Sequence, residues 1–266
     1  MKKKLALILA GTAMAAMVLA GCGEKNNASG EDVKTAESVE DKKTFTVGFD
    51  AEYPPYGYMD ENGEYTGFDL ELAEAVCKLE GWELVKKPLN WDSKDMELNS
   101  GSIDCIWNGF TMNGREDDYT FSTPYVDNSQ VIVVAEKSGI DTLEDLAGKT
   151  VGVQAASAAL DLLQSEEEGG QKKLADTFGA LNEFADYNTA FTELQAGALD
   201  ALAIDVGVAN YQIKSRGEGY KILDETLNTE QYAIGFKKGN QELCDVVNAD
   251  LKKLTEDGTV AKLAEK

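Results

Sequence analysis

Residues 44–81 read TFTVGFDAEYPPYGYMDENGEYTGFDLELAEAVCKLEG, and the pattern changes along them. Thr44–Phe49 is short, β-branched and aromatic, the composition of a strand. From Phe68 to Glu80 the spacing places Leu70, Ala73, Val76, Cys77 and Glu80 along one helical face, and Gly81 stops the run. Leu84–Leu89 then reads as a second strand. Strand, helix, strand is the repeating unit of a parallel sheet, so this stretch predicts an α/β fold.

The rhythm continues outward. Met96–Asn99 belongs to a short helix ending near Gly101, Ile103–Trp107 is a third strand, and the apolar run Val131–Ala135 predicts a buried one. In the second half Asp141 is expected to cap a short helix ending at Gly148, with strand Thr150–Val153 next. Ser157 opens a helix through about Ser165, and Glu183–Tyr187 reads as a strand. Asn188 is expected to cap a helix through Gln195, closed by Gly197, before strand Ala201–Ile204 and a helix from Val206. Tyr232–Lys237 is a late strand, and helices over Glu242–Glu256 and Thr259–Ala264 complete the pattern. No tandem repeat is present.

Ahead of this body, Met1-Lys2-Lys3-Lys4 leads into an apolar run from Leu5 to Ala20 that closes with Leu19-Ala20-Gly21-Cys22. The run of about 16 residues falls short of the ~20 that a spanning helix needs, and it matches a secretory signal. The small residues before a cysteine match the bacterial lipobox. Residues 1–21 are therefore expected to be removed and Cys22 to carry lipid, which places the protein on the outer face of the cell membrane. Residues 22–43 are polar and charged and predict a disordered tether with a reach of about 25 Å.

Composition excludes several functions. Losing Lys2, Lys3 and Lys4 moves the formal charge from −23 to −26, and such an acidic body repels nucleic acid. It also stands off an anionic membrane surface, leaving the lipid as its only membrane contact. The chain has no histidine, which removes the usual general base, the Ser-His-Asp arrangement and most zinc chemistry. Cys77, Cys105 and Cys244 are widely spaced, form no metal motif, and read as small buried hydrophobes. No metal or other cofactor is expected.

Unusual residues gather at strand-to-helix junctions, where open α/β sheets place ligands. They are Asp50-Ala51-Glu52-Tyr53-Pro54-Pro55-Tyr56, Asn90-Trp91-Asp92, Trp107 through Arg115, and Gln154-Ala155-Ala156-Ser157, joined by Asp205. Each has a structural reading alone, as turn, core or cap. Together they supply what a free amino acid needs: a guanidinium for a carboxylate, a carboxylate for an ammonium, and aromatic faces for a side chain.

The order and spacing of these segments resemble the polar amino acid-binding proteins of bacterial ABC importers, the family 3 extracellular solute-binding proteins, over about residues 44–264. Further landmarks are Gly67-Phe68-Asp69-Leu70-Glu71-Leu72-Ala73, Gly101-Ser102-Ile103-Asp104, Phe121-Ser122-Thr123-Pro124-Tyr125, Leu146 through Val153, Leu194 through Asp205, and Asp257-Gly258. The resemblance implies the type II periplasmic-binding-protein fold: two α/β lobes joined by two crossing strands. Lobe 1 would take residues 44–128 and 229–266, and lobe 2 residues 129–228.

It also implies roles. Arg115 clamps the ligand's α-carboxylate, aided by the Gly109 backbone, the Thr111 hydroxyl and amide, and the helix start at Ser157–Ala158. Asp205 takes the α-ammonium from the other lobe, so the ligand bridges the cleft and favours closure. Tyr53 and Trp91 sandwich the side chain, with Asp50 and Asn108 reading its polar end. The implied partners are a free polar L-amino acid, cationic or cystine-like rather than acidic, and an ABC permease and ATPase complex served by a monomer. The chain departs from the family pattern in a turn one residue shorter between Thr111 and Arg115, in Ala156 where glycine is usual, and in Trp107-Asn108. Two alternatives use the same fold: a small-carboxylate dehydratase with Glu52 or Asp50 as acid or base, and a sensing module for a separate signalling partner.

Overall fold

A computed structural model describes residues 39–217 and 219–266. The expected signal segment 1–21, the lipidation candidate Cys22 and tether residues 22–38 lie outside the described residues. The end of the expected tether is seen: Val39–Asp41 form a 3-10 turn, Val39 packs on the core, and Lys42 Nζ sits 2.6 Å from Asp104. An apolar contact and an ion pair therefore tie this polar stretch to the body.

The chain forms β1 (Thr44–Phe49), β2 (Glu52–Tyr53), β3 (Gly57–Met59), β4 (Tyr65–Thr66), α1 (Phe68–Glu80), β5 (Glu83–Pro88), α2 (Lys94–Asn99), β6 (Cys105–Ile106) and β7 (Tyr119–Phe121). There follow β8 (Val126–Ala135), β9 (Thr150–Gln154), α3 (Ala158–Gln164), α4 (Lys172–Ala175), β10 (Ala180–Phe184), α5 (Tyr187–Ala196), β11 (Ala201–Asp205) and α6 (Val206–Arg216). The last elements are β12 (Tyr220–Ile222), β13 (Asn228–Tyr232), β14 (Gly235–Lys237), α7 (Gln241–Glu256) and α8 (Thr259–Ala264).

Two larger sheets organise these elements. The first runs β5-β1-β6-β14-β7, and the second β10-β9-β11-β8-β12 with β13 also paired to β8. In the first, β1 is parallel to β5 and β6; in the second, β9 is parallel to β10 and β11. Each sheet thus sets its first βα strand between the next two, with an antiparallel strand beyond. Strands β2, β3 and β4 form a small separate sheet.

Both large sheets are covered by helices. On β1, Phe45, Val47 and Phe49 alternate into a cluster with Val76 of α1 and Val247 and Leu251 of α7. Leu98 of α2, Ile103, Ile106 and Phe110 pack together in a separate cluster. In the second sheet Phe191 of α5 and Val208 of α6 share one cluster, and Leu160 and Leu163 of α3 another. Helix α1 starts at Gly67, whose φ is 128° and where a β-carbon would lie 2.4 Å from the Tyr56 carbonyl oxygen, a position only glycine tolerates. It ends at left-handed Gly81, whose N–H closes on the Cys77 carbonyl.

The elements differ from expectation at several ends. Asp141 caps nothing; instead Asp145 reaches back to accept the N–H groups of Asp141 and Thr142. The strand expected at 183–187 lies at 180–184, because Asp186 is the cap of α5: its carboxylate accepts the Thr189 N–H at 2.7 Å. Asn188 therefore sits inside the helix. The single strand expected at Tyr232–Lys237 is split, β13 pairing in the second sheet and β14 in the first. The chain changes sheet at 233–234, and Ser122–Tyr125 make the other crossing; the expected lobe boundaries fall inside the paired strands β8 and β13. Cys77, Cys105 and Cys244 are buried and free. Among the described residues no helix is long and apolar enough to cross a membrane.

Candidate functional site

In each sheet the three parallel strands point their carboxyl ends toward the other sheet. Asp50–Tyr53 follow β1, Asn90–Trp91 follow β5, and Trp107–Arg115 follow β6. From the second sheet Ala155–Ser157 follow β9, Ala185–Asp186 follow β10, and Asp205 ends β11. Backbone groups at strand ends have no ladder partners, which is why open α/β sheets bind ligands there.

Polar contacts join the two sides of the cleft. Gln154 Nε2 donates to Asp50 Oδ2 at 2.6 Å, Lys94 Nζ to the Ala156 carbonyl at 3.3 Å, and Arg115 Nη2 to Asp161 Oδ2 at 2.7 Å. Asn188 donates to Glu52. Between them lies one pocket to which all the expected site residues contribute except Asp50 and Asn108, with Phe110 and Gln154 added. Side chains nearly fill it, leaving room for about one water molecule.

Arg115 lies over the Phe110 ring at 5.1 Å and is mostly covered, whereas its partner Asp161 is largely exposed. Thr111 bridges to Tyr232, but the ladder bonds there belong to the flanking residues, Met112 to Gln231 and Ala233 to Phe110. The Thr111 N–H therefore points away from β13 and is available to a ligand. Its hydroxyl is not, since it donates to Glu230 Oε1 at 2.7 Å. The Gly109 N–H is likewise engaged, donated to Asp69 Oδ2 at 2.5 Å. What Gly109 can offer is its carbonyl, an acceptor suited to an ammonium and not to the expected carboxylate.

The Ser157 hydroxyl is spent locally, accepting the Leu160 N–H and donating to the Gln154 carbonyl. Only backbone N–H groups of Ser157 and Ala158 remain to meet an anion. Ala156 has φ 54°, the left-handed conformation that explains glycine's usual place there.

At the opposite end Asp205 is buried, its Oδ1 accepting from Asn128 Nδ2 at 2.8 Å, Gln130 Nε2 at 2.7 Å and the Tyr232 hydroxyl at 2.6 Å. Burial first, and then the neighbouring Glu230 charge, push its carboxyl up to about 6. Tyr53, Tyr56, Tyr187 and Tyr232 pack around it with ring centroids 5.2 to 6.0 Å apart, and burial raises each phenol. Trp91 stands edge-on to Phe110, with Lys94 Nζ 5.2 Å from its ring.

Asp50 lines a different cavity of about 490 Å³ on the far side of Trp91, together with Glu52, Asp92, Glu183 and Asp186. Burial pushes its carboxyl up to about 6, against hydrogen bonds from Glu52 N–H and Gln154. Asn108 does not reach either space. Its buried amide packs so closely on the backbone of residue 57 that a β-carbon on Gly57 would lie 2.4 Å from Oδ1, and neither amide atom has a partner.

Two residues escaped the sequence reading. Lys94 is buried against the second lobe, where it meets the Ala156 carbonyl, and that burial lowers its ammonium pKa. Glu230 is buried among the donors to Asp205. Period-two alternation back from Tyr232 is the signal that would have turned it inward.

Two α/β lobes with six strand ends meeting in one cleft, a guanidinium on one side and a carboxylate on the other, define a two-lobed binding protein of the type II periplasmic-binding fold. The chain belongs to the bacterial extracellular solute-binding proteins, family 3, whose model matches residues 45–266. It is 30% identical to the L-cystine-binding protein TcyJ of Escherichia coli K12 over 95% of this chain and 92% of that one. It is 33% identical to the arginine-binding extracellular protein ArtP of Bacillus subtilis, over 100% of this chain and 98% of that one. Among solved structures, a histidine-bound substrate-binding protein of an ABC uptake transporter from Streptococcus pneumoniae superposes with a TM-score of 0.80 at 33% identity, covering 85% of this chain and 93% of that one. These relatives are binding proteins and not enzymes, in line with the expectation of a non-enzymatic receptor.

Proposed function

We propose that this protein captures a polar L-amino acid by closing its two lobes, 44–128 with 229–266 and 129–228, and delivers it as a monomer to an ABC permease and ATPase complex. Lipid on Cys22 holds it at the outer face of the membrane. The observation that carries the reading is that Arg115 and Asp205, from different sheets, line one pocket. Arg115, the Thr111 N–H and the Ser157–Ala158 backbone receive the α-carboxylate, and Asp205 with the Gly109 carbonyl receives the α-ammonium. Tyr53 and Trp91 wall the side chain.

The ligand's far end is proposed to be cationic or a hydrogen-bond donor. The cavity beyond Trp91 is lined by five carboxylates and no lysine or arginine, so an acidic side chain directed there meets only repulsion. Cystine-binding and arginine-binding proteins among the relatives fit that preference.

A thermal-shift screen of refolded, ligand-free protein against the common L-amino acids and cystine tests this. A ligand at ~1,000 times its Kd adds about 4 kcal/mol, or about 8–16 °C in Tm for a chain of this size. Large shifts for cationic amino acids or cystine and none for glutamate support the reading, and a flat panel refutes it.

A further inference from the structure

Glu230 lies in β13, one of the two strands that pair beside the lobe crossings, and it is 4% exposed. Its Oε1 accepts from Asn128 Nδ2 at 2.8 Å, Gln130 Nε2 at 2.8 Å and Thr111 Oγ1 at 2.7 Å. The same two amide nitrogens donate to Asp205 Oδ1. Each amide thus gives one hydrogen to each acid, and both amides have no donor left. Their carbonyl oxygens, Asn128 Oδ1 and Gln130 Oε1, are buried without any partner.

The cluster is therefore rich in acceptors and lacks a cation. Among the described residues neither Asp205 nor Glu230 has an ion-pair partner. The titratable groups facing Asp205 are Glu230 and Tyr232 from β13, Tyr53 from β2, Tyr56, and Tyr187 from α5, all neutral or negative. Two buried carboxylates and two orphaned amide oxygens match a compact cation with several N–H donors.

We propose that Glu230 is a second carboxylate of the ammonium site, acting with Asp205 through Asn128 and Gln130 to make the pocket select ligands that carry an α-ammonium. This rests on reading Asp205 as the ammonium partner and extends it to a residue on a strand beside the crossings. Glu230 also holds the Thr111 hydroxyl, so the ligand's two ends are linked: the residue whose N–H meets the carboxylate is tied to the acids that meet the ammonium. Asp205 alone makes the site bind amino acids; Asp205 together with Glu230 makes it reject ligands lacking the ammonium.

The test is titration calorimetry with the best amino acid from the screen and its deaminated analogue, in which hydrogen replaces the α-amino group. Wild-type, Glu230→Gln and Glu230→Asp proteins are compared, with Tm measured for each ligand-free protein. Glu230→Gln is expected to reduce the preference for the amino acid over its analogue at least tenfold, and Glu230→Asp to retain most of it. Equal weakening of both ligands by Glu230→Gln, with a lowered Tm, means a structural role and overturns the proposal. So does unchanged preference. Loss of preference in Asp205→Asn but not in Glu230→Gln leaves the amino acid reading standing and removes Glu230 from it, whereas no preference in the wild type refutes both.

Discussion

Replacing Asp69 with asparagine should remove a pH dependence of stability that one buried carboxyl imposes. Asp69 sits in the first turn of α1, fully buried, with Oδ2 accepting the Gly109 N–H at 2.5 Å and the Tyr125 hydroxyl at 2.8 Å. Its Oδ1 has no partner. Burial outweighs the two hydrogen bonds and pushes the carboxyl from 3.8 up to about 7. The folded protein therefore keeps a proton that the unfolded chain gives up between about pH 4 and 7. By linkage, stability falls as pH rises through that interval and levels off above it.

Between pH 5 and pH 8 this group alone should remove about 2–3 kcal/mol, and Asp50 and Asp205, both raised by burial, act in the same direction. Asparagine keeps an oxygen for Gly109 and Tyr125 but has no charge to desolvate. Urea unfolding of ligand-free protein at pH 5 and pH 8 should show the wild type losing about 2–3 kcal/mol more than Asp69→Asn over that range. The carboxyls held low by hydrogen bonds, such as Asp60, Asp145 and Asp257, titrate below pH 5 and leave the comparison untouched. Equal losses in both proteins refute the reasoning.

Arg115→Lys should weaken amino acid binding about 10- to 100-fold by calorimetry, because a point charge replaces a fork that makes two charge-assisted hydrogen bonds, and Arg115→Ala should abolish it. Ala156→Gly should raise stability by up to about 1 kcal/mol, since relief of ~1–2 kcal/mol of left-handed strain exceeds the ~0.5–1 kcal/mol of added chain entropy; a lower urea midpoint counts against this. Cys77 and Cys244 are pushed up to about 12 and 11 by burial, and burial raises Cys105 as well. All three should resist a thiol reagent at pH 8 in folded protein and react fully in urea, and prompt reaction of the native protein contradicts their buried assignment.

The βα units were legible because their signals are local. Phe45, Val47 and Phe49 alternate, and Gly67 and Gly81 bracket one apolar helical stripe. Helix caps were less so: Asp186, Asn188 and Asp141 are all acceptable caps by type, and only the extended backbone at Asp186 decides among them. In the site, Arg115 and Asp205 were recognisable by type and junction position. Asp50 lines the cavity past Trp91 and Asn108 packs against residue 57, a difference that their residue types and junction positions do not reveal. Lys94 was invisible since its burial comes from Ala156 across the cleft, and for Glu230 strand alternation gives the inward face but not its partner Asn128 on β8.

On the proposed reading, the polarity of the cleft also settles how an acidic protein of net charge −23 holds a carboxylate. Arg115 and Lys94 both stand at the end where the Ser157–Ala158 backbone begins α3, while Asp205 and Glu230 stand at the crossing strands. A zwitterion can enter in one orientation only, and its side chain is then left to the acidic cavity past Trp91. Arg115 is not idle before the ligand arrives, because Asp161 holds one of its nitrogens. That pair is weak: Asp161 is 61% exposed, and such ion pairs contribute ~0.2–1 kcal/mol. A carboxylate enclosed beside Arg115, Thr111 and the α3 start makes hydrogen bonds to charged groups of about 1.5–3 kcal/mol each. The exchange favours the ligand, so Asp161 can help draw the lobes together in empty protein without competing for the guanidinium once an amino acid is present.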